Sequence, residues 1–335
     1  MELRPGSAEA IADEVRRRGS AVPAASGERA LDVDMTNWLR VVGERLVVKV
    51  AGEPGALDRS ARMLQRLAGT GLVPELYGVL EEDGAIVATV TEYLPGAVDG
   101  WTWAVDDLLA WIDGGPEPAW PAELGALTAT MHQRLAENAR GAPTVLRERA
   151  WDALQRARRL RNPMVDARRE WFERLILDLP DDPRGPVFPI HGDLHVGQVL
   201  RSGAGLRVID FDGDPTLPIQ ERDRPDTAAR DVAHLMSSFE MTASIVHRRL
   251  GSVSVQVAGW VVEAQARFLD AYRAGADDLL DERLLPALHA EQLLRELIYA
   301  ERFLPRWRYA AEGAIAHRYP IPEEEPWTPP ASLTT

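Results

Sequence analysis

Between Trp38 and Leu94 the apolar residues come in short runs broken by Gly, Asp and Glu, the spacing of strands joined by tight turns. Trp38-Leu39-Arg40-Val41-Val42 and Leu46-Val47-Val48-Lys49-Val50 flank the polar turn Gly43-Glu44-Arg45 and predict a β-hairpin. Residues 74–80 and 85–94 predict two more strands around the acidic turn Glu81-Glu82-Asp83-Gly84. Between the two pairs, Leu57, Ala61, Leu64 and Leu67 share one helical face, and Gly69 and Gly71 end that helix. Ahead of them lie a short charged helix over 8–18 and a run of Gly, Ser, Ala and Pro through Gly27, read as a loosely held tail or reduced cap.

Beyond the hinge-like Pro95-Gly96 and from Trp101 onward, the period becomes helical. Helices are expected over 104–113, 122–137, 144–161, 165–179, 255–274 and 285–303, with another starting near Thr227. His132 on the second is expected to be a packed histidine. The fold class is therefore α+β: a tail over 1–28, a small antiparallel lobe over 29–95, a helical lobe over 96–319 and a Pro- and acid-rich tail over 320–335.

One polar interruption of the helical region carries the chemistry. Ile190-His191-Gly192-Asp193-Leu194-His195-Val196-Gly197-Gln198-Val199-Leu200 is followed by Leu206-Arg207-Val208-Ile209-Asp210-Phe211-Asp212-Gly213-Asp214, a short apolar strand closing on alternate acids. Phosphoryl transfer from a nucleotide needs a carboxylate near the acceptor hydroxyl and oxygen ligands for Mg²⁺ on the phosphates. Asp193 suits the first task, Gln198 and Asp210 the second.

Composition sharpens this. Of 38 basic residues all but Lys49 are arginine, so the position that keeps a compact ammonium is a candidate for a role a guanidinium cannot fill. Lys49 lies among valines inside a strand, where a charge is costly unless it meets its opposite, and a nucleotide phosphate would supply one. The preceding loop, with Thr36 and Asn37, would cover the phosphates. Absence of cysteine removes disulfides and thiolate chemistry, and a formal charge of −14 argues against nucleic acid or an anionic membrane as partner. Without a long apolar run or a leader pattern, a cytoplasmic protein, monomer or homodimer, is expected. Two rival readings exist. A silent nucleotide-binding module has no reason to hold Lys49, Asp193, Gln198 and Asp210 together, and a metal-dependent hydrolase on His191, Asp193 and His195 leaves Lys49 unexplained.

Together with Asp99-Gly100-Trp101, Arg230-Asp231-Val232-Ala233 and Arg302-Phe303-Leu304-Pro305-Arg306-Trp307, these motifs resemble the aminoglycoside phosphotransferase superfamily, and within it the maltokinase and glucosamine kinase group. The resemblance implies a bilobal protein-kinase-like fold and an ATP- and Mg²⁺-dependent sugar kinase. Glucosamine is the preferred acceptor; maltose or an aminoglycoside or aminocyclitol is the alternative. It makes Asp193 the base, Gln198 and Asp210 the metal ligands and Lys49 the phosphate-binding lysine. Glu92-Tyr93-Leu94 becomes the adenine-binding edge, and His191 and Asp231 supports of the catalytic loop. The stretch from Glu291 to Glu301 resembles glucosamine kinases, and acids there would hold a substrate ammonium. Glu296 leads, with Gln292 and His195 beside it. A kinase-like glutamate after Lys49 is missing, which leaves Asp58 or Glu53 to pair with the lysine.

Overall fold

A computed structural model describes residues 6–31, 38–137, 145–321 and 327–330. The chain divides into two compact units. The first comprises Met1–Asp99, His191–Asp193 and Gln198–Arg224. It is built on an antiparallel sheet of five strands: β1 (Glu28–Ala30), β2 (Trp38–Val42), β3 (Leu46–Val50), β4 (Leu76–Glu82) and β5 (Ala85–Glu92), in the order β1-β2-β3-β5-β4. Both hairpins turn through paired left-handed residues, Gly43-Glu44 (φ 58° and 50°) and Asp83-Gly84 (φ 51° and 80°). Their twist matches that of the flanking strands. β3 is central, and Lys49 stands opposite Leu39 on one side and Thr89 on the other.

The N-terminal segment is not a loose tail. α1 (Ser7–Arg17) buries Ala8, Ala12 and Val15 against Val42, Leu46, Val48, Ala88 and Val90 of the sheet. Two features unread in the sequence hold it there. The Glu28 carboxylate accepts the Gly6 and Ala8 N–H groups at 2.7 and 3.0 Å, satisfying donors that a helix start leaves open. Gly78 gives the approach room, since a Cβ there would stand 2.5 Å from Val15 Cγ1.

α2 (Asp58–Arg66) packs Ala61 and Leu64 inward. The hairpin of β6 (Val199–Ser202) and β7 (Gly205–Val208) is fastened to the same unit: Arg201 and Val98 exchange N–H···O bonds of 2.9 Å, and the Val208 N–H reaches Leu72 O at 2.7 Å. The stretch expected within a helical lobe therefore joins the sheet by contact.

The second unit (Gly100–Ile190, Leu194–Gly197, Pro225–Thr335) is helical. Its helices are α3 (Gly100–Ile112), α4 (Trp120–Leu135), α5 (Leu146–Arg159), α6 (Pro163–Ala167), α7 (Arg169–Leu177), α8 (Ala228–Leu250), α9 (Val255–Ala276), α10 (Leu285–Phe303) and α11 (Arg308–Arg318). α8 is the axis: Thr227 caps it through Ala229 N–H, and every residue from Ala228 to His247 is buried. Its Phe239 packs with Trp120, Trp260 and Phe268 of the neighbouring helices, largely edge to face. The single helix expected over 165–179 is broken at Arg168, whose buried guanidinium donates to Tyr319 O at 2.7 Å. α11 has no counterpart in the hydrophobic pattern. Both units together bear out the α+β class, and among the described residues no helix is long and apolar enough to cross a membrane.

The core of this unit also contains charge. Arg230 lies 2.6 Å from Asp226 and 3.0 Å from Glu291; Arg149 meets Asp226 at 2.5 Å and Arg295 meets Glu291 at 2.8 Å. Glu291, one of the acids expected to face a substrate, is 1 % exposed and enclosed by arginines. Its role is structural.

Candidate active site

In the first unit the strand lysine meets the end of the catalytic stretch. Lys49 Nζ lies 2.7 Å from Asp210 Oδ1 and 2.6 Å from Asp212 Oδ2. Burial alone would push the ammonium down, but the charges of Asp210 and then Asp212 outweigh it and the pKa is raised. Burial also pushes the Asp212 carboxyl up against the pull of Lys49, while Ser60 donates a hydrogen bond to it. The partner of Lys49 thus comes from the strand end. Asp58 accepts the Ile86 N–H at 2.9 Å, and Glu53 is exposed. Asp212 thus shares the Lys49 ammonium with Asp210, a role that its place in the sequence does not announce.

Local backbone explains why this stretch presents its acids. Asp210 has φ 62° and Gly213 φ 79°, so the chain turns twice through the left-handed region, which Asp tolerates and Gly favours. The Ile209 N–H donates to Gln198 O at 2.9 Å, which brings Gln198 beside Asp210. His191, fully buried, donates from Nε2 to Ile209 O at 2.9 Å and accepts the Asp193 N–H at Nδ1 at 3.3 Å. Both its ring nitrogens are committed to main chain, so it pins the Asp193 turn to the strand end and cannot ligate a metal. The hydrolase reading fails there. Arg59 of α2, buried, does similar work: its guanidinium donates to the carbonyls of Phe211, His191 (3.1 Å) and Arg222 (3.0 Å).

Gln198, Asp210 and Asp212 are all hard oxygen donors, and the two carboxylates converge on one ammonium. Among the described residues no cluster of three His, Cys, Asp or Glu side chains has metal-binding geometry. Two carboxylates and an amide suit Mg²⁺, which keeps waters and phosphate oxygens in its shell. Of the adenine-edge residues, the Glu92 and Tyr93 N–H groups are taken by Glu75 O (2.8 Å) and Arg45 O (2.9 Å), and Leu94 is buried. Thr36 and Asn37 lie outside the described residues.

In the second unit a separate polar cluster forms around Glu296. Its Oε1 accepts from His234 Nε2 at 2.8 Å and Gln292 Nε2 at 3.0 Å. Burial would raise the Glu296 pKa, but His234, His195 and Gln292 outweigh it and hold the carboxyl below its usual range. The His195 ring lies 5.3 Å from that of His234 and stacks on Trp101 at 5.4 Å. Gly197 permits the stack, because a Cβ there would overlap both Trp101 and His195. His234, which the sequence pattern does not single out, and Trp101, which it gives only within the motif Asp99-Gly100-Trp101 and without a role, complete this cluster. The available signal was helical spacing, since His234 falls one turn after Asp231. Asp231 itself is buried and meets His132 Nε2 at 3.2 Å, while His132 Nδ1 contacts Tyr272 Oη at 2.8 Å. The loop amide of Val196 donates to Ser238 Oγ of α8 at 3.2 Å.

A lysine clamped by two strand-end acids next to a His-x-Asp loop defines a phosphotransferase, and the chain belongs to the phosphotransferase enzyme family, which it matches over residues 28–281. It is 36 % identical over 94 % of its length to a glucosamine kinase of Streptacidiphilus jiangxiensis, covering 81 % of that protein. It is 37 % identical over 87 % of its length to a glucosamine kinase of Mycolicibacterium smegmatis (strain ATCC 700084 / mc(2)155), covering 79 % of it. A solved glucosamine kinase in complex with glucosamine, ADP and inorganic phosphate superposes with a TM-score of 0.78 at 32 % identity, over 96 % of this chain and 84 % of that one. The protein is an ATP-dependent sugar kinase of this group.

Proposed function

We propose that the protein transfers the γ-phosphoryl group of ATP to a hydroxyl of glucosamine in the cytoplasm. The observation that carries this reading is the Glu296 carboxylate, held ionised by His234 and Gln292 beside His195, in a chain more than a third identical to two glucosamine kinases. An anionic group with ring donors around it suits an ammonium flanked by hydroxyls.

In this reading Asp193 accepts the proton of the attacking hydroxyl as the new O–P bond forms and the bond from phosphorus to the ADP oxygen breaks. Lys49 leaves its carboxylate partners to hold the nucleotide phosphates. Gln198, Asp210 and Asp212 would hold Mg²⁺, which neutralises phosphate charge when bound. With the Glu92 and Tyr93 N–H groups committed within the sheet, adenine recognition falls to Leu94 and to main-chain carbonyls of this edge. Thr36 and Asn37 remain candidates for covering the phosphates.

The test is ADP release with ATP and Mg²⁺ against glucosamine, N-acetylglucosamine, glucose, maltose and kanamycin. Turnover is expected with glucosamine and not with its N-acetyl form. Turnover with maltose or kanamycin but not glucosamine would move the acceptor elsewhere in the family. Glu296→Gln is expected to raise KM for glucosamine roughly 10- to 100-fold, the value of one charge-assisted hydrogen bond, with a smaller change in kcat. A KM within twofold of wild type would remove Glu296 from acceptor recognition.

A further inference from the structure

In place of an acid for Lys49, α2 directs a cation at the strand end. Arg59, in its first turn, is 6 % exposed. Each nitrogen of its guanidinium donates to a main-chain carbonyl: Nε to Arg222 O at 3.0 Å, Nη1 to Phe211 O, and Nη2 to His191 O at 3.1 Å. The three acceptors belong to three separate turns. His191 precedes Asp193 by two positions, Phe211 directly follows Asp210, and Arg222 ends the one-turn helix Ile219–Arg222 beyond the acids.

A guanidinium is planar and rigid, with its N–H bonds in fixed directions, so an acceptor bound at one edge fixes where the other two can stand. The turns are shaped to receive it. Gly192 and Gly213 both have left-handed backbone, φ 84° and 79°. A Cβ on Gly213 would stand 3.4 Å from Arg59 Cζ and 3.2 Å from Arg222 Cβ, and one on Gly192 would stand 3.5 Å from Gly213 Cα. The two turns therefore lie against each other, with the guanidinium beside both.

The helix that delivers Arg59 is itself tied on two sides. Asp58 accepts the Ile86 N–H of β5 at 2.9 Å, and Arg62 pairs with Asp223 at 2.6 Å. Arg222 folds back on its own segment, donating from Nε to Leu217 O at 2.8 Å and from Nη2 to Pro215 O at 3.2 Å. Movement of α2 would thus be felt at the Asp193 turn and at the strand end together.

We propose, resting on the roles given above to Asp193 and Asp210, that Arg59 is a positioning residue for phosphoryl transfer. Its guanidinium sets the register between the turn of the base and the acids of the strand end, and the carbonyls of His191, Phe211 and Arg222 form a cradle specific for a planar cation. Arg59 acts through main chain, so its loss is felt as a change in the spacing of the reacting groups, where a displacement of about 1 Å costs about 10²-fold in rate.

Arg59→Ala in the full chain is expected to lower kcat for ATP and glucosamine by about 10²-fold. Calorimetric titration with an ATP analogue counts the folded, binding-competent molecules and is expected to give the stoichiometry of the wild type. Methylguanidinium chloride is expected to restore the variant saturably to about a tenth of wild-type kcat. Methylammonium chloride and urea, at the same concentration and ionic strength, are expected to restore nothing, because the first lacks the plane and the second the charge. Arg59→Lys keeps the charge and the stem but not the fork, and is expected to stay about tenfold below wild type. It decides the matter if the alanine variant does not fold. The proposal is overturned by a kcat of either variant within about threefold of wild type, by a fall in kcat matched by the fall in binding stoichiometry, or by recovery that methylguanidinium does not give or that methylammonium gives equally. The kinase reading fails separately: the wild type would then release no ADP with glucosamine, or keep its rate as Asp193→Asn. A failure confined to Arg59 leaves the wild type active and Asp193→Asn slow.

Discussion

Asp193→Asn is expected to lower kcat by roughly 10²- to 10⁴-fold while leaving nucleotide affinity within a few-fold of wild type. The amide keeps the shape of the side chain, and the turn that presents it is held independently by the bonds of His191 to Ile209 O and to the Asp193 main chain. What is lost is the ability to accept the hydroxyl proton, so the barrier rises by about 3–5.5 kcal/mol with little change before the transition state. Steady-state kinetics with glucosamine and calorimetric titration of an ATP analogue separate the two quantities. A kcat reduced less than tenfold would mean that another group takes the proton.

Glu291→Gln is expected to destabilise the fold by about 3–5 kcal/mol, because removing one member of a buried charge cluster leaves its partners without compensation. Arg230 and Arg295 both bond to this carboxylate, at 3.0 and 2.8 Å. Burial alone would raise its pKa; Arg230, Arg295 and Arg149 outweigh that and hold it at about 2. A folded pKa below the unfolded one gives stability that is fully present above the unfolded value. The contribution, about 3 kcal/mol, is lost as pH falls from about 4.5 towards 2. Urea unfolding of the wild type and the variant should therefore differ most near neutrality and converge in acid. A gap below about 1 kcal/mol at pH 7, or one that widens on acidification, would contradict this account of the cluster.

The parts of the molecule legible in the sequence are those whose determinants are near neighbours. Alternating apolar residues and the two left-handed turns specify the hairpins that carry Lys49. The Asp193, Gln198 and Asp210 offsets lie within one short stretch, so their chemistry is readable before any contact is known. What escaped is set by pairs far apart. Nothing near Lys49 says that its partners are Asp210 and Asp212, 161 and 163 positions away. The docking of α1 depends on Glu28 and on the missing side chain of Gly78, neither of which belongs to the helix. Glu291 and Glu296 lie on one helix five positions apart. Only packing decides that the first is walled in by arginines and the second faces histidines.

Because Lys49 is the sole lysine of the chain, amine-acylating reagents have one side-chain target. While Asp210 and Asp212 hold it, that amine stays protonated and poorly nucleophilic. The rate of covalent labelling at Lys49 is consequently a clock for the release of that ammonium from its two carboxylates, free of the background that many lysine side chains give in other proteins.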